Sequence, residues 1–78
     1  MERAKFKPKM RRKPSVRASE LVVGYLAIVP EIGTAKMLAL LYVENTLTVL
    51  KGLKATKNVL AEYRFYLEVE HELQKQII

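Results

Sequence analysis

A chain of 78 residues with a formal net charge of +6, half of its residues hydrophobic, is one small domain and too apolar to be a disordered segment. It has no cysteine, which excludes disulfides, thiolate nucleophiles and cysteine-ligated metals. Aspartate and tryptophan are also missing, Asn and Gln are scarce, and the Lys and Glu bias points toward a thermophilic source.

The chain opens on its basic segment. Residues 1–17 carry Arg3, Lys5, Lys7, Lys9, Arg11, Arg12, Lys13 and Arg17 against Glu2 alone, a net +7, and the remainder sums to −1. Lys5, Lys7 and Lys9 alternate with Phe6 and Pro8, and Pro14 closes the stretch. Proline removes a backbone donor and biases its predecessor away from helix, so an extended arm is expected over residues 1–14, with a helical domain over 15–78. Basic side chains on an extended backbone can follow a row of phosphates, releasing counterions in a manner that is salt-dependent and largely blind to sequence. All eight basic residues are therefore candidates for nucleic-acid contact, with Arg11, Arg12, Lys13 and Arg17 the densest group. The plainer reading is a solvated or targeting tail.

A basic start followed by the apolar run 21–30 has the outline of a secretory signal. The basic part is long and no small-residue cleavage pattern comes after the apolar run, so secretion is not expected; organelle import stays as a minor alternative. The apolar run is also well short of the roughly 20 residues needed to span a membrane.

Ser15 is positioned to cap a first helix over residues 16–29, ending near Pro30. Leu21, Val22, Val23, Tyr25, Leu26, Ala27, Ile28 and Val29 surround its second half, a pattern that predicts burial on most sides. A strand over 21–29 would lack a partner, so helix is preferred. Pro30, Gly33 and Thr34 then mark a turn, with Thr34 a candidate cap for a second helix.

From Ala35 onward there is no proline, and Gly52 is the only interruption before Gln76. Glycine costs a helix about 1 kcal/mol relative to alanine and does not by itself end one. Two helices meeting near Gly52, or one long helix over about 34–76, both fit. A separate third helix would begin on Lys51, Lys54 and Lys57 and fill its later turns with Glu62, Glu68, Glu70 and Glu72, opposing the helix dipole at both ends. The balance leans toward one continuous helix, bent if anything.

Leu53, Leu60 and Leu67 recur every seven residues with Tyr63 between, and Val59, Tyr66 and Leu73 run beside them. An antiparallel pairing of two such helices about residues 61–62 would set Lys51 to Lys57 of one copy beside the glutamates of the other. Leu53, Leu60, Tyr63 and Leu67 are accordingly the candidate self-association surface; an intramolecular core face is the alternative. The expected fold is all-α: a basic arm, a short apolar helix and a long helix, forming a hairpin completed by oligomerisation.

Little here supports catalysis. His71 lies between Glu70 and Glu72, but consecutive helical positions point in different directions, and pairing it with Glu68 gives only two ligands. Ser15 and Ser19 have no partnering base, and three scattered glycines make no phosphate loop. Tyr63, Arg64, Phe65 and Tyr66 suggest base stacking, but the helical turn directs Phe65 away from the tyrosines, so packing is the better account. No enzyme, metal or cofactor is expected.

Three functional readings fit these features. The first is a non-enzymatic, largely sequence-independent nucleic-acid-binding protein, such as a subunit of a nucleoprotein, virion or ribonucleoprotein, in an intracellular setting. No helix-turn-helix signal favours a specific repressor. The second is a membrane-associated subunit whose arm lies on anionic headgroups, against which Glu31, Lys36 and Glu44 count. The third is a structural accessory of a large protein assembly.

Overall fold

The computed structural model of the chain describes residues 13–77. They form three helices and, among the described residues, no strand: α1 over Pro14–Leu26, α2 over Ile32–Gly52 and α3 over Lys57–Ile77. Of the extended arm expected over residues 1–14, residues 1–12 lie outside the described residues; Lys13 is extended, but Pro14 already belongs to α1.

Helix α1 does not start where Ser15 would have capped it. Pro14 takes the first helical position and Lys13, extended at φ −67° and ψ 148°, takes the cap without a side-chain bond. Proline is suited to that place because its missing N–H would have had no partner there and its φ is already helical. The helix also ends earlier than the apolar run, at Leu26. The amides of Ala27 and Ile28 turn back to the carbonyls of Gly24 and Tyr25, at 3.3 and 2.9 Å, which closes the last turn ahead of Pro30.

Helix α2 begins at Ile32, two residues before the expected Thr34, with Glu31 at the cap position. Thr34 contributes differently: its hydroxyl donates to Glu31 Oε1 at 3.1 Å. Within the helix Thr46 and Thr48 return their hydroxyls to the carbonyls of Tyr42 and Glu44, so their polar groups are satisfied inside an apolar sequence.

The continuous helix over 34–76 is not formed. Helix α2 stops at Gly52, and Leu53 is extended at φ −90° and ψ 161°. Thr56 then restarts the helix by accepting the amide of Val59 at 3.2 Å, a side-chain cap that satisfies one of the free donors of the first turn. No described glycine has positive φ, so the break does not use the left-handed conformation open to glycine. Packing explains it. One helix over those residues would be about 65 Å long at 1.5 Å per residue and would leave its apolar stripe in water. Folding back at residues 53–56 buries Val69 and Leu73 against the other helices. That outweighs the dipole terms, about 0.3–1 kcal/mol each, that favoured continuity.

The chain order and short connections make α2 antiparallel to both neighbours. Lys36 Nζ, near the start of α2, donates to the carbonyl of Gln76, near the end of α3, at 3.5 Å. The core is a single cluster of Ala18 and Val22 from α1, Ala35, Ala39, Val43 and Leu47 from α2, and Val69 and Leu73 from α3. On each helix these residues recur every fourth position, so they form one stripe facing inward. Three are alanines, and small side chains let backbones approach closely. Leu73, Val43 and Val69 are the largest side chains fully removed from water, at about 1.5–3 kcal/mol each.

The core is narrow, and the expectation that the stretch 21–29 is buried on most sides fails. Only Val22 in that stretch is buried, whereas Val23 is 65 % and Ile28 74 % exposed. With only two helices to pack against, α1 can cover one face and no more.

Candidate polyanion interface

Six of the eight basic residues read as a nucleic-acid contact, Arg3, Lys5, Lys7, Lys9, Arg11 and Arg12, lie outside the described residues. The other two mark the junction with the fold. Lys13 is exposed at the cap of α1. Arg17 is half-buried one turn into the helix, where its Nε donates to the Tyr66 hydroxyl at 3.4 Å and its Nη1 meets Glu20 at 3.5 Å. The hydrogen bond to Tyr66 is the main reason its pKa is raised, with partial burial acting the other way and Tyr42 also contributing. Arg17 thus ties α1 to α3, and Lys13 is the first basic side chain free of that packing.

These contacts fix the level at which α1 begins on the body. Helix α1 has 13 residues and is about 20 Å long, whereas α2 and α3 have 21 each and extend for about 31 Å. Arg17 stands level with Tyr66 and near Tyr42, well short of the α2–α3 connection. The remainder of α2 and the first turns of α3 project beyond the start of α1. The N-terminal end of α1, with Lys13 at its cap, is the end nearer that projecting corner.

The corner has its own character. Between Asn45 and Ala61 the sequence holds Lys51, Lys54 and Lys57 and no acidic residue. All three lysines are exposed, and none forms an ion pair among the described residues. Helix α3 begins there with no acidic residue in its first turn, so its dipole adds to the positive potential instead of being neutralised. Beside the lysines is an apolar cleft of about 260 Å³ lined by Leu50, Lys51, Leu53, Ala55, Val59, Leu60 and Tyr63.

That cleft changes the meaning of the seven-residue repeat. Leu53 sits in the connection, 51 % exposed, while Leu60 and Leu67 are exposed on α3. Leu53, Leu60 and Tyr63 converge on the cleft, and Leu67 does not line it. The antiparallel pairing built on an unbroken helix loses its basis, since Lys51 belongs to α2 and Lys54 to the connection. The parallel row fares better as core: Leu73 is fully buried, and Val59 and Tyr66 are half-buried.

The aromatic cluster does not form a stacking platform. Phe65 and Tyr66 meet edge to face, with ring centroids 5.2 Å apart and planes at 84°, so Phe65 does not point clear of Tyr66 as the helical spacing suggested. Both rings and Tyr63 pack against the core. His71 is exposed, and no group of three potential metal ligands occurs among the described residues. No described helix is long and apolar enough to cross a membrane.

No known protein family, curated protein or solved structure matches the chain. Its own residues are what a functional reading can rest on.

Proposed function

We propose that the protein is a non-enzymatic nucleic-acid-binding subunit that grips phosphates with its basic N-terminal arm and displays that arm from a helical body. The observation that carries this reading is the segregation of charge: a net +7 in residues 1–17 and −1 in residues 18–78. A charge excess confined to one end is suited to a polyanion and contributes affinity with little dependence on sequence. An intracellular setting, free or within a nucleoprotein particle, belongs to the same proposal.

Self-association is its second element. Leu67, Met37 and Leu41 are large apolar side chains that the fold leaves exposed, and a second copy covering them would remove this surface from water. Sedimentation equilibrium across a concentration series tests it, and a monomer throughout removes self-association from the proposal.

The test of the arm is binding of the full chain to a labelled single strand and a labelled duplex by fluorescence anisotropy, at salt from about 50 to 200 mM. A variant with Arg3, Lys5, Lys7, Lys9, Arg11 and Arg12 all changed to Gln is measured beside it. The wild type should lose affinity steeply with salt. If all six side chains engage, the variant should lower the logarithmic slope by about 4 on a single strand and about 5 on a duplex. Unchanged binding by the variant refutes the arm as a phosphate clamp. Binding to vesicles rich in phosphatidylserine, and to neither nucleic acid, moves the reading to a membrane surface.

A further inference from the structure

We propose that the α2–α3 corner is a second contact for the same polyanion, and that its cleft receives an unstacked base, making single-stranded nucleic acid the preferred ligand. This deepens the arm reading and rests on it for the identity of the polyanion.

Three observations converge on the corner. The first is charge. Lys51, Lys54 and Lys57 lie exposed around the connection, and no acidic residue occurs from Asn45 to Ala61. Of the seven glutamates of the helical body, Glu62 comes next on α3, just beyond this stretch, Glu44 precedes it on α2, and the other five lie farther away in sequence, at 20, 31, 68, 70 and 72.

The second is placement. Helix α1 stops short of the corner, and Arg17 against Tyr66 shows the level at which it does so. The start of α1, with the exposed Lys13 at its cap, is on the corner's side, so Lys13 and the corner lysines can engage the phosphates of one strand.

The third is the cleft itself. At about 260 Å³ it falls just under the ~300 Å³ lower end of small-molecule sites, a size suited to one planar group. Leu50, Leu53, Val59 and Leu60 offer apolar surface, and Tyr63 adds an aromatic ring and Lys51 a cation to the lining. Bases in a duplex are stacked and cannot enter such a cleft, whereas a single strand can present one while its phosphates lie on the lysines.

Rival occupants fit less well. The chain's own arm carries the same sign of charge as the corner. A second copy seated there would bring two sets of three lysines together. Only an anionic partner gains from the charge of the corner and the apolar lining at once.

The test uses the full chain, with anisotropy on an oligothymidylate, an abasic strand of equal length, and a duplex. Two variants change exposed side chains only: the triple K51Q/K54Q/K57Q, and Ala55→Glu, which puts a negative charge in the cleft. The intact strand should bind about tenfold or more tightly than the abasic one, as expected for one stacked base. The triple variant should weaken binding and lower the salt slope by about 2. Ala55→Glu should erase the difference between intact and abasic strands.

Equal binding of intact and abasic strands overturns the base in the cleft, and a triple variant that binds as the wild type overturns the corner contact. A wild-type dimer that Ala55→Glu dissociates without nucleic acid would identify a second copy as the occupant and overturn the proposal. The arm variant separates the two readings. If it binds as the wild type while the triple variant fails, the arm reading alone falls and the corner stands. If no strand binds the wild type, both fall.

Discussion

Changing Gly52 to alanine tests why α2 ends where it does. Gly52 is the last residue of α2, it is exposed, its φ is not positive, and a Cβ built on it meets nothing within 4 Å. Alanine therefore enters without strain and without displacing a neighbour. The gain has two sources, both local: up to about 1 kcal/mol of helix propensity at an interior site, and about 0.4–1 kcal/mol from reduced freedom of the unfolded chain. These overlap in origin, and the last residue of a helix realises only part of the first. The folded state should gain about 0.5–1 kcal/mol, which for a domain of this size raises the melting temperature by roughly 2–8 °C. Circular dichroism at 222 nm during urea and thermal unfolding measures both quantities. A loss of 0.5 kcal/mol or more would refute the argument, because it would mean that the corner depends on glycine itself. So would a rise in helix content with elongated dimers in solution scattering, because propensity at one position would then outweigh the packing that folds α3 back.

Packing and capping each supply a further prediction. Leu73→Ala removes most of a fully buried side chain from the centre of the three-helix contact and should cost about 2–5 kcal/mol in urea unfolding; a cost under 1 kcal/mol would show that the cluster is not packed as described. Thr56→Ala deletes the side-chain cap on the Val59 amide and should cost about 1 kcal/mol, whereas Thr56→Ser should recover most of it; equal stability of the two variants would rule out the capping bond.

The all-helical class was legible because breakers are few after Pro30 and a strand over 21–29 would lack a partner. The inward stripe of Ala35, Ala39, Val43 and Leu47 was not, since two of its four residues are alanines that do not stand out among larger apolar neighbours. Helix ends were less legible, for reasons visible at single residues. Pro14 competes with Ser15 for the start of α1, and proline takes the first helical position because that position needs no donor. The turn at residues 53–56 was hidden more deeply. Gly52 alone is a weak stop, and the charges around it argue for continuity. The force that folds the chain back is burial of Val69 and Leu73 against residues more than twenty positions away, which no local pattern expresses. The basic corner was missed for the same reason. In an unbroken helix Lys51, Lys54 and Lys57 are mid-helix side chains for a partner's glutamates. Only the turn brings them, with Leu53 and Leu60, to one corner around a cleft.

The difference in length between α1 and its two neighbours also divides the molecule by resistance to opening. Among the described residues, every buried side chain lies either in residues 18–47 or at Val69 and Leu73, so none falls in the span from Thr48 to Glu68. Its outer part, from Thr48 to Glu62, can unravel from the tip while Tyr63, Phe65 and Tyr66 stay packed against the core, because local opening costs little where few apolar contacts are lost. Amide hydrogens around residues 50–60 should exchange with solvent well before those near Val43 and Val69. A ligand that seats at the corner would then do more than attach: it would close the fastest-exchanging end of the fold, and the slowed amides would mark its footprint.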